Sequence, residues 1–188
     1  MSIIDNLIYD RTQGEVNRLI ALIKKGWAAM SDEERSEYLT SRGAYNATDL
    51  NRVEAAVKYV ADYLNGLQDV LNAYGEAMDV APDEIFNIPY ETLELDTVTT
   101  WASGDIPTKS EMERYLDNVN KLTDAVKIEK DLPESMEKLT WQGANEIERS
   151  IKAEWEAGHA EEARIKTLMD KTAEAWFYCG DIFGGEIV

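Results

Sequence analysis

The chain has 188 residues, 37 of them acidic against 19 basic, for a formal charge of -18, and 44% of the residues are apolar. That is enough apolar material for one ordinary domain or two small ones, while the charge repels phosphate backbones and anionic membranes and argues against a nucleic-acid or membrane-surface role. A single cysteine, Cys179, excludes an intrachain disulfide; no secretory signal and no apolar run of membrane-spanning length is present, so a reducing cytoplasm is the expected setting.

An acid, an aliphatic residue, Asn or Glu, and then Arg occur in that order four times, beginning at Glu15, Asp49, Glu111 and Glu146. Three residues before each acid stands Thr12, Asn46, Thr108 or Gly143, which makes each copy a helix start of the capping-box kind. The arginines Arg18, Arg52, Arg114 and Arg149 are expected to pair with the acid three residues earlier on the helix surface, so that replacing Arg114 with alanine would change little.

In chain order, the first predicted helix spans residues 12 to 28, with Val16, Leu19, Ile20, Ile23 and Trp27 on its buried face. A short helix follows from Ser31, with Gly43 in the turn after it. The next runs from Ala47 into the low seventies and buries Leu50, Val53, Val57, Val60, Leu64 and Leu67. Residues 79 to 107 break the helical period with Pro82, Pro89 and Pro107, and the β-formers near Leu93 to Trp101 suggest a short strand or hairpin. A helix from Lys109 to about Ile128 carries Met112, Tyr115, Leu116, Val119, Leu122 and Val126. Two more helices are expected, one from Ala144 and one after Gly158, the last ended by Gly180, Gly184 and Gly185. The expected fold is all-α or α-rich: a bundle of about six helices in two related halves, residues 1–78 and 106–188, around an irregular connector at 79–105.

Catalytic machinery is not legible. His159 is the only histidine and reads as an exposed residue at a helix start, Cys179 has no cationic neighbours in sequence, and no metal or phosphate motif occurs. No catalytic residue, metal ligand or cofactor is therefore expected. The aromatic residues Trp101, Trp141, Trp176, Phe177, Tyr178 and Phe183 are the candidate partner contacts, since Trp and Tyr dominate interface hot spots. For Trp141 an internal staple or wedge is the competing reading, and for the tail a fold back onto the bundle.

Six stretches carry a family resemblance: LIYDRTQ at 7–13, GAYNATDLNR at 43–52, DIPT at 105–108, MERYL at 112–116, LTWQGAN at 139–145 and AWFYCG at 175–180. Together they resemble phage- and prophage-encoded minor structural, tail-associated proteins of Gram-positive bacteria. The resemblance implies a virion or tail-assembly role among phage structural proteins or by self-association, in the host cytoplasm or in the virion; it carries no site residues. An adaptor that binds a host protein is the alternative.

If the tail serves contacts, deleting residues 180–188 should leave the monomer folded and thermally stable while weakening association. Unfolding of the truncated chain would instead make the tail part of the core.

Overall fold

The computed structural model describes residues 2–78, 92–126 and 128–183, with the backbone alone for 77–78 and 173–183. Among these residues the fold is all-α, with no strand and with five α-helices: α1 (Gln13–Lys25), α2 (Asp32–Leu39), α3 (Ala47–Met78), α4 (Lys109–Ala125) and α5 (Trp141–Phe183). Short 3-10 turns occupy Ile3–Asn6, Trp27–Ala29 and Met136–Lys138.

The helix starts follow from local chemistry. Thr12 with Glu15, Ser31 with Glu34 and Thr108 with Glu111 form reciprocal capping boxes, and Asn46 accepts from the Thr48 and Asp49 amides while Asp49 answers to its own. The last helix departs from the expected pattern. Its cap is Thr140, whose hydroxyl takes the Gly143 amide, because an oxygen-bearing side chain three residues upstream outcompetes a glycine that offers none.

Helices α3, α4 and α5 enclose one core, completed by Ile4 and Leu7 of the N-terminal turn. The expected stripes are buried: Leu50, Val53, Val57, Val60, Leu64 and Leu67 on α3, and Tyr115, Leu116, Val119, Leu122 and Val126 on and just after α4. A buried side chain of this size contributes about 1.5–3 kcal/mol by leaving water.

Glycine misleads the sequence reading at the end of the chain. Gly158 and Gly180 both lie inside α5, which runs unbroken for 43 residues. A Cβ at Gly158 would come within 2.9 Å of the Tyr63 ring and 3.0 Å of Leu64. The residue is there so that α5 can pass close against α3, at a helix-propensity cost of about 1 kcal/mol. His159 accordingly sits in mid-helix, exposed on one side.

The α1–α2 hairpin differs from its expected form. Helix α1 stops at Lys25, where Gly26 adopts a positive φ of 77°. Leu19, Leu22 and Met30 are buried, but they stand outside the main core. Ile20, Ile23 and Trp27, expected on the buried face, are exposed. The eight-residue α2, half of it acidic, has only Tyr38 and Leu39 to set against them.

One buried carboxyl is unbalanced. Glu154 on α5 is fully enclosed, and neither of its oxygens has a hydrogen-bond partner. Burial pushes its pKa up from 4.5 to about 8, with Asp124 adding to the rise and Lys130 opposing it. Below about pH 4.5 the carboxyl is protonated whether folded or not; above that the unfolded chain ionises while the folded chain holds its proton, so stability falls with each pH unit until about pH 8. Glu154→Met should therefore stabilise the protein by about 2 kcal/mol at pH 7.5, raising the thermal midpoint by roughly 4–8 °C. Calorimetry across pH should show that gain shrinking toward pH 4.5; a constant difference would mean the carboxyl is ionised in the folded protein.

Candidate functional site

The segment at 92–101 is extended but pairs with no strand. Its backbone is held by helix side chains instead. The Asn51 amide donates to the Trp101 carbonyl and accepts from the Trp101 amide, both at 2.8 Å, and Asn65 grips Leu93 in the same two-bond manner at 3.2 and 2.8 Å. A primary amide offers one donor and one acceptor side by side, so it pairs with a residue's N–H and C=O as a neighbouring strand would. That substitution is why the expected hairpin is not formed.

The same device recurs at the other end of the core. Asn145 on α5 grips both backbone groups of Arg11 at 3.0 Å. One turn further along, Glu148 accepts the Ile8 amide at 2.6 Å, just as Glu54, one turn after Asn51, accepts the Val98 amide. Each of these buried glutamates is also met by a two-pronged arginine from a different helix. Arg114 of α4 reaches Glu54 at 2.7 and 2.9 Å, and Arg52 of α3 reaches Glu148 at 2.8 and 3.1 Å. Arg11 adds a second guanidinium, bonded to Asp49 and Glu148 at 2.8 and 2.7 Å. Above it, the Tyr45 and Tyr115 hydroxyls meet at 2.5 Å, and burial raises the pKa of both phenols. Every carboxylate of these two clusters is matched by arginine, so their charges are spent on holding the fold.

Two of the four motif arginines thus do not pair as expected. Arg18 reaches Glu37 on α2 and Arg114 reaches Glu54, because Glu15 and Glu111 are turned back onto the amides of Thr12 and Thr108. Arg52 and Arg149 do bond the acids three residues before them.

The surface with unsatisfied apolar area lies elsewhere. Of nine exposed large hydrophobic side chains among the described residues, five fall between positions 20 and 39: Ile20, Ile23, Trp27, Tyr38 and Leu39. Ile23, Tyr38 and Leu39 line a groove of about 500 Å³ whose far wall includes Leu50, Trp101 and Pro107. Trp27 stands edge-on to Tyr38 at 6.0 Å; Leu39 is 71% exposed, and Ile106, between Asp105 and Pro107 of the far wall, is 89% exposed. A second groove, of about 610 Å³, runs along α4 and carries paired charges: Glu113 and Glu137 share Lys109, and Asp117 holds Lys121.

No family model, curated protein or solved structure matches the chain. The geometry alone therefore directs attention to the α1–α2 groove.

Of the aromatic residues proposed as contacts, Trp101 is half-buried in the wall of that groove, with its indole N–H 3.5 Å from Glu54. Trp141 lies in a separate recess beside Tyr45, donating to Gln13 at 3.1 Å, so the two tryptophans do not form one surface. The side chains of Trp176, Phe177, Tyr178 and Phe183 lie outside the described residues. Ile23 and Trp27 escape a sequence reading because a helical stripe implies burial without showing what covers it, and the eight-residue α2 is too short for Tyr38 and Leu39 to show a stripe of their own. His159 packs edge-on against Trp155 at 4.0 Å and bonds Glu162, whose pKa is drawn down to about 2 by Lys166, Tyr63 and His159. Among the described residues no group of three His, Cys, Asp or Glu side chains is placed to hold a metal, and no helix is long and apolar enough to cross a membrane.

Because Glu54 is buried, Arg114→Ala should cost about 3 kcal/mol by stranding its carboxylate, lowering the thermal midpoint by roughly 6–12 °C. Arg18→Ala, whose pair is exposed, should leave the midpoint unchanged. Equal midpoints for the two variants in a thermal melt would contradict this assignment.

Proposed function

We propose that the protein acts by binding other proteins, as a structural or assembly component without chemistry of its own. The observation that carries this reading is the concentration of exposed apolar side chains around the α1–α2 groove, on a hairpin whose own core is separate from that of the bundle. Large apolar side chains gathered at one groove are the mark of a contact surface rather than of a solvated one. The resemblance to phage tail-associated proteins names the setting: a virion or tail-assembly role, with phage structural proteins as partners, in the cytoplasm of the bacterial host.

The test uses tagged full-length protein expressed in cells producing the phage, with mass spectrometry of purified particles and of the captured proteins. Wild type should bring down tail or other particle proteins, and Leu39→Glu should reduce their recovery about tenfold or more. Because Leu39 is exposed, stability should change by no more than about 0.5 kcal/mol. Capture of no particle protein, or capture of a host regulatory protein in its place, would overturn the assembly reading.

A further inference from the structure

The hairpin differs from the rest of the chain in charge as well as in exposure. Between Gln13 and Arg42 five acids stand against five bases, so this stretch is neutral and the remainder carries all of the -18. Its charges are also largely spent within the molecule: Arg18 on Glu37, Lys25 on Glu34, Arg35 on Asp32, and Arg42 on Asp10 and Glu15. A partner recognised by charge would find little here to recognise. An apolar, electrically neutral partner surface would find a match.

We infer that the occupant of the α1–α2 groove is the same groove of a second copy of this chain. Two copies of so acidic a protein repel each other over most of their surfaces, and the neutral hairpin is where that repulsion is least. The shape fits as well. The exposed Leu39 lines the groove together with Ile23, Tyr38 and Trp101, and the exposed Ile106 stands in the chain between Asp105 and Pro107 of the same lining, so exposed apolar side chains and recess adjoin. A two-fold contact places the same patch of both copies together, so each copy's projections enter the other's recess. The inference rests on the reading of this face as a contact surface and specifies what it contacts.

Sedimentation velocity and light scattering on the purified full-length protein, from 1 to 100 µM, test it. The wild type should be a dimer at the upper end of that range, and lowering the salt from about 500 to 20 mM should shift it toward monomer by unscreening the repulsion between the acidic bodies. Leu39→Glu and Ile106→Glu should each weaken the dimer at least about tenfold, with far-UV circular dichroism and thermal midpoint unchanged. Monomeric wild type at 100 µM, or a dimer that both variants leave intact, would overturn the inference. The two proposals fail separately: a monomer that still loses its particle partners on Leu39→Glu leaves the contact reading in place with a different occupant.

Discussion

Two glutamates without access to water, Glu54 and Glu148, set the terms for the rest of the fold. A buried carboxylate is tolerable only when guanidinium and amide donors surround it. Glu148 draws Arg52 from α3, Arg11 from the N-terminal segment and the Ile8 amide to one point. Glu54 does the same with Arg114 from α4 and the Val98 amide from the extended segment. The hydrophobic core fills the space between three helices, but the carboxylates and their neighbouring asparagines decide where the non-helical segments lie against them. The arrangement is reciprocal: α3 holds the segment leading into α4, and α5 holds the segment leading into α1.

Much of the helical frame could be read from the residues. Thr12, Ser31, Asn46 and Thr108 start helices, and the apolar stripes of α3 and α4 face the core, because capping and period-3.6 burial are local rules. What failed depended on distant neighbours. Gly158 looked like a break, since nothing near it in sequence reveals that Tyr63 and Leu64 press against it. Ile23 and Trp27 looked buried, since the stripe does not reveal how little α2 can cover. The clamps did leave a trace: Asn51 and Asn145 are poor helix formers beside an apolar stripe, each followed three residues later by glutamate. Asparagine in that place asks for a backbone partner, and the spacing repeated.

The architecture also divides labour between two kinds of surface. Charges that hold the bundle together are internal and closed, each glutamate of the clamps being answered by arginine. Five of the nine exposed large apolar side chains among the described residues are carried by the small neutral hairpin, whose buried Leu19, Leu22 and Met30 stand outside the main core. Substitutions among these exposed side chains can thus be made with little consequence for the bundle. Glu154 departs from this pattern, a carboxyl kept neutral by burial rather than by a partner.

The clamp on the N-terminal segment has a consequence for the order of events on the ribosome. Arg11 is held by Asn145, 134 residues later, and Ile8 by Glu148, 140 residues later. At about 5–20 residues per second, the first strand-like residues emerge roughly 7–28 seconds before the helix that will secure them exists. Through that interval the Arg11 backbone and the Ile8 amide lack their partners on α5, while α1 and α2, whose caps and contacts are local, can already form. The segment around Arg11 is therefore made well before the helix that fastens it, and the bundle closes only after Glu148 has been synthesised.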